Sequence, residues 1–134
     1  MCLAFLACDT VITDIHTGKK SLIGIFNSGA SPKFPHAIPQ FSIFASLTNG
    51  NGEAQLKVLL NAANFEKVFE LNGKLNFANP LETPEIVFGI RNLIIKSPGV
   101  YELQLLVNDV LVASRTLTFR EIKPPPAKPL DKQQ

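Results

Sequence analysis

The chain has 134 residues, of which 46% are hydrophobic and 18% charged, with 10 Phe, 10 Pro and 8 Gly; this suits one packed domain and excludes a disordered or collagen-like chain. Thirteen Lys and Arg against 11 Asp and Glu leave a formal charge of +2, so no global field draws in nucleic acid or an anionic membrane surface, and neither is expected as a partner. No stretch approaches the ~18 uninterrupted apolar residues of a membrane-spanning helix.

The dominant period is two, with short runs rich in Val, Ile, Leu and Phe broken by turn residues, the pattern of an all-β domain. Phe5 to Asp14 reads as a first strand and Ser21 to Phe26 as a second, joined through His16-Thr17-Gly18-Lys19, where glycine supplies the positive φ of a tight hairpin. The opening run to Cys8 resembles a lipoprotein cleavage box, but no Lys or Arg precedes Lys19 and the apolar run is too short, so it is assigned to the first strand. Asn27 to Pro39 carries Gly29, Pro32, Pro35 and Pro39; it is read as a long connection or an edge that crosses between sheets, outside any central ladder.

From Phe41 the alternation sends Phe41, Ile43, Ala45 and Leu47 one way and Ser42, Ser46 and Thr48 the other, with Phe44 as an apolar exception. Asn49-Gly50-Asn51-Gly52 is the strongest hairpin signal in the chain, and the return strand turns Ala54, Leu56, Val58 and Leu60 inward. Phe65 to Leu71 follows, with Phe65, Phe69 and Leu71 on one side; Asn72-Gly73 is read as a kink or turn before a short piece near Leu75 to Phe77. Ile86 to Ile95 also tolerates a short helix, but its β-branched residues and the Pro98-Gly99 stop favour a strand. In the last hairpin Tyr101, Leu103, Leu105 and Val107 point inward, Asn108-Asp109 turns the chain, and Leu111, Ala113, Leu117 and Phe119 follow, with Arg115 on the same nominal inner face.

These elements predict an antiparallel β-sandwich of immunoglobulin-like type, about seven to nine strands over residues 1–121, with a Pro-rich extended tail over 122–134. Tyr101, at a strand start just after Pro98-Gly99, suits a tyrosine corner, in which the hydroxyl bonds a backbone group a few residues upstream.

Candidate chemistry is sparse. Gly18-Lys19-Lys20-Ser21 lacks the upstream glycine of a phosphate loop, since Thr13 stands there, and opens no helix. Asp9 and Asp14 have an odd separation and point to opposite faces of an extended strand, so they do not form a carboxylate pair; Asp14 is expected to bond its own turn, and Asp9 to bond backbone or a lysine. Cys2 and Cys8 sit in one strand about 20 Å apart, too far for a disulfide. With His16 and His36 the only histidines and no ligand-spaced cluster, neither a metal nor a cofactor is expected, and the unbridged thiols suit a reducing compartment, taken to be the cytoplasm. Lys123-Pro124-Pro125-Pro126-Ala127-Lys128-Pro129 has the form of a basic PxxP ligand, a pattern also met in plain linkers.

The block Cys8-Asp9-Thr10-Val11 through Asp14, with Thr17-Gly18-Lys19, Ser21-Leu22-Ile23-Gly24-Ile25-Phe26, Phe34-Pro35 and the later Pro98-Gly99-Val100-Tyr101, resembles a family of small, mostly bacterial proteins classed only as a domain of unknown function. The resemblance covers roughly residues 3–120 and implies a bacterial cytosolic sandwich, with no activity or catalytic residue to transfer. The expected function is a non-enzymatic interaction module that binds protein, or a second copy of itself as a homodimer, through a sheet edge or end loops. Candidate interaction residues are His16, Lys19, Lys33, Phe34, His36, Asn49, Asn51, Pro126 and Pro129. The alternative is small-molecule or carbohydrate binding by loops around His16, His36 and Asn49 to Gly52, for which no Trp and one Tyr are poor equipment.

Overall fold

The period-two runs become strands of two facing sheets in a computed structural model that describes residues 1–123. In chain order the nine strands are β1 Cys2–Thr13, β2 Lys20–Phe26, β3 Ser28–Ser31, β4 His36–Leu47, β5 Gly52–Ala62, β6 Lys67–Phe77, β7 Glu85–Ile95, β8 Gly99–Val107 and β9 Val110–Glu121. One sheet has the order β2-β1-β4-β7 and the other β3-β9-β8-β5-β6. Every pairing is antiparallel except the parallel pairing of β3 with β9.

The core forms where the inward residues of β4 and β7 meet those of β5, β8 and β9. Phe41, Ile43, Ala45 and Leu47 face Ala54, Leu56, Val58 and Leu60, joined by Leu103, Leu105, Leu117 and Phe119. Each large side chain removed from water in this way contributes about 1.5–3 kcal/mol. Phe44 and Cys8 are also buried but lie outside this cluster, on the outer face of the four-stranded sheet, where Phe44 is level with Leu6 of β1 and Val87 of β7.

Asn49-Gly50-Asn51-Gly52 is an arch and not a hairpin: β4 and β5 belong to different sheets, and the chain crosses the core between them. The positive φ of Asn49 and Gly52 is real, but a tight reversal of the backbone does not say which sheet receives the next strand. Asn72-Gly73 lies mid-strand in an unbroken β6, opposite Lys57 and Leu56. The turn stands earlier, at residues 62–66, where Asn64 accepts from the Glu66 amide; Phe65 has a φ of 66° there and is 90% exposed, the reverse of its expected inward position.

Leu111 is likewise exposed. A register shift after Leu105 pairs Leu106 with Leu111 and Leu105 with Ala113, so alternation from the strand end misassigns it. Pro39 lies within β4, an interior strand. It is tolerated because β1 pairs with β4 only as far as Ser42, so the half that carries Pro39 has β7 alone beside it. His36, Ala37 and Ile38 join Pro39 in β4, against the reading that kept them out of a central ladder, whereas residues 27–35 behave as read, with β3 forming an edge in the opposite sheet from β2.

Two polar groups fasten the sandwich. The Tyr101 hydroxyl donates to the Ser97 carbonyl at 2.6 Å, and its ring meets Phe119 edge to face. Arg115 does lie partly inside: its guanidinium donates to the Phe5 carbonyl on β1 at 3.3 Å, across the gap between the sheets, in the half of β1 that β2 does not reach. β9 ends at Glu121, and the Ile122 amide bonds the Ser31 carbonyl.

A candidate binding cleft between two strand edges

The outermost strands on one flank of the sandwich are β6 and β7, each with a neighbour on one side only. They meet near the middle, where a Cβ placed on Gly73 lies 3.4 Å from the Phe88 ring. Away from that point, toward Lys67 on β6 and Ile94 on β7, the two sheets part and leave a cleft of about 850 Å³. Phe69 and Leu71 line it from the β6 side, Ile90 and Leu93 from the β7 side, and Tyr101 from β8. Its mouth is framed by the 62–66 turn and by residues 96–100, so the bond between Tyr101 and Ser97 fixes one lip.

The two bordering edges differ in character. On the outward face, β6 presents Glu70, Asn72, Lys74 and Asn76, level with Leu59, Lys57, Gln55 and Glu53. Charges along an edge discourage pairing with another chain. On β7 the outward residues between Glu85 and Arg91 are Val87, 40% exposed, and Gly89. The other two edges are β3, four residues long, and β2, seven residues long and interrupted near its middle by the positive φ of Gly24; β7 also carries a positive φ, at Asn92, but beyond its apolar stretch. β7 is thus the long edge with an apolar stretch, and it stands beside the cleft.

Charged residues at the rim are Glu66, Lys67, Arg91 and Lys96. Lys67 is engaged by Glu70 at 2.8 Å, and the hydrogen bonds from Lys67 and Asn72 hold the Glu70 carboxyl below its ordinary range. Arg91 and Lys96 are exposed and form no ion pair among the described residues.

The residues singled out from the sequence are distributed elsewhere. His16 and Lys19 are exposed in the β1–β2 turn, where Asp14 accepts from the amides of His16 at 2.8 Å and Thr17 at 2.9 Å, as its position in the turn suggests. Asp9 forms no hydrogen bond or ion pair through its carboxylate among the described residues; it lies against Gly24, where a Cβ would collide with it. The expected bond from Asp9 to backbone or to a lysine is therefore not formed among those residues.

Lys33, Phe34 and His36 belong to the β3–β4 segment, with the Phe34 and His36 rings in edge contact at 6.0 Å. His36 pairs with Ile95, which places it at the end of the sandwich where the cleft opens, but it does not line the cleft. Asn49 and Asn51 are at the opposite end, on a smaller cavity of about 260 Å³ beside Met1 and Asn108. The Asn49 to Gly52 loop, grouped with His36 for a small-molecule site, is therefore not brought together with it. Pro126 and Pro129 lie outside the described residues.

Cys2 and Cys8 are free thiols of one strand, and burial pushes both above the ordinary thiol range. No group of three or more His, Cys, Asp and Glu suited to a metal ion occurs among the described residues.

Across residues 3–120 the chain matches the model of a family of unknown function. It belongs to DUF6941. No curated protein matches the chain well enough to lend it an activity. The DUF6941 match spans every strand that borders the cleft, so the cleft is built from family sequence and not from an appended segment.

Proposed function

We propose that this DUF6941 chain is a non-enzymatic interaction module that accepts an extended protein segment along the free edge of β7. Main-chain hydrogen bonds to the edge supply affinity in this mode, and alternate side chains of the guest enter pockets that supply selectivity. The observation that carries the reading is the pairing of a long edge, apolar between its two charges, with an apolar-floored cleft immediately beside it. The immunoglobulin-like character of the sandwich belongs to the same proposal. It is supported by the parallel β3–β9 pairing at one edge and by the tyrosine hydroxyl bonded four residues upstream at the start of the penultimate strand. A cytoplasmic setting is supported by the two unbridged cysteines.

The cleft volume also falls within the range of about 300–1,000 Å³ met in small-molecule sites. A carbohydrate is the weaker guest, because Tyr101, the one tyrosine, is 5% exposed and has no free face for stacking.

Panning a displayed library of random peptides against the full chain tests the reading. Enrichment of alternating apolar sequences is expected, with capture lost in Leu71→Lys and in Val100→Lys. The second variant alters an exposed wall residue and keeps the test independent of folding. Enrichment of no sequence class, or capture indifferent to both substitutions, contradicts it.

A further inference from the structure

We infer that the segment received beside β7 is acidic as well as apolar: a strand with apolar residues at alternate positions and carboxylates placed to meet Arg91 and Lys96. The inference rests on the strand-accepting reading of this flank and specifies the guest's chemistry. Of the four charged residues at the rim, Glu66 is the sole acid, and Lys67 is already engaged by Glu70. Arg91 and Lys96 remain as cations without an ion pair among the described residues.

Their positions assign distinct roles. Arg91 is level with Gln40 on the outer side of β7, between Ile90 and Asn92. Residues directly opposite one another in a ladder share a face, so the guest residue across from Arg91 also points outward, and a carboxylate there meets the guanidinium. Lys96 directly follows the last β7 residue, Ile95, at the mouth. It stands where the guest enters or leaves, within range of a second acid or of a terminal carboxylate. Ile90, just before Arg91, and Leu93, between Arg91 and Lys96, are 7% and 8% exposed, lie on the cleft side and require apolar inward residues of the guest.

The chain's own 122–134 segment fits poorly. Its charged residues are Lys123, Lys128 and Lys132 against Asp131, and its four prolines lack the amide proton that pairing with an edge uses. A basic, donor-poor strand opposes both features of the site.

The test uses two fluorescent peptides with the same alternating Val-Thr centre, one flanked by Asp and one by Lys, titrated into the full chain by anisotropy. The Asp-flanked probe is expected to bind about tenfold tighter, with the difference shrinking at high salt. Arg91→Glu combined with Lys96→Glu is expected to reverse the preference, while Lys74→Glu, on the outward face of β6, leaves it unchanged. Both altered cations of the double variant are exposed, and an unchanged circular dichroism spectrum certifies its fold. Equal binding of both probes, abolished by Val100→Lys, overturns the acidic preference and leaves the strand-accepting reading standing. Binding of neither probe overturns both. A preference for Asp that survives the double reversal places the anion contact elsewhere and overturns the inference.

Discussion

The hydroxyl of Tyr101 donates to the carbonyl of Ser97 at 2.6 Å, and this bond closes the corner by which the chain leaves β7 in one sheet and enters β8 in the other. Both residues line the cleft, so the same contact that fastens the sandwich also sets the cleft's lip. Tyr101→Phe keeps the ring and its edge contact with Phe119 and removes the bond alone. A loss of about 1 kcal/mol in urea unfolding is expected, rising toward about 3 kcal/mol if the Ser97 carbonyl finds no water to replace the hydroxyl. An unchanged midpoint shows that the corner holds without it.

Gly50 supplies a second constraint, at the opposite end. A Cβ there collides with the edge of the Phe77 ring, itself a buried member of the core. Gly50→Ala forces that ring off its seat and is expected to cost about 1–3 kcal/mol, the range for overpacking. Gly89→Ala, where open space surrounds the added methyl, serves as the comparison and is expected to change stability by less than about 0.5 kcal/mol.

Acid destabilises the fold through two carboxylates whose folded values are depressed. Asp14 is held down by the amides of Thr17 and His16, and Glu70 by Lys67 and then Asn72. A depressed folded value means that the stabilising contribution is complete above the unfolded value, near 3.8 for Asp14 and 4.5 for Glu70, and is lost as pH falls through the folded value. Denaturation midpoints measured from neutral pH downward are expected to fall across that window. In Asp14→Ala the fall is shallower, because the turn no longer has a carboxylate to protonate.

The thiols differ in access. Cys8 is fully covered and Cys2 is partly exposed, and burial raises both thiols above their ordinary value. In the folded chain Cys2 is expected to react first with a maleimide, and Cys8 only at the rate of local opening. Equal rates, measured by mass spectrometry, indicate that the outer face around Cys8 is open.

The extent to which the fold could be read from sequence follows from what period-two patterning encodes. Phe41 to Leu47 and Ala54 to Leu60 are oriented as their alternation requires, and Asn108-Asp109 turns β8 into β9 with positive φ at both residues. Alternation states which side of a strand is apolar and is silent on which strand lies beside it. For that reason Asn49 to Gly52 reads as a hairpin although it crosses the core, and Asn72-Gly73 reads as a break although Leu56 and Lys57 simply pair across it.

The cleft is not legible in any one segment. It arises where β6 and β7, brought together at Gly73 and Phe88, part toward Lys67 and Ile94, a relationship between two sheets that no single segment carries. The nearest signal in the sequence was the apolar β7 run with few charges to guard it. Loop polarity marks His16, His36, Asn49 and Asn51 instead, and the fold sets Asn49 and Asn51 at the end opposite His36.

Whether β7 accepts a strand is read on β7 itself by amide hydrogen exchange with and without the Asp-flanked alternating peptide. Before addition, the amides of β7 that do not serve the ladder with β4 are expected to exchange rapidly, since no strand lies on their other side. On binding, those amides slow while those of β3 and β2 keep their rates. Protection confined to β6, or to the loops at His16 and Asn49 with β7 unchanged, contradicts the account.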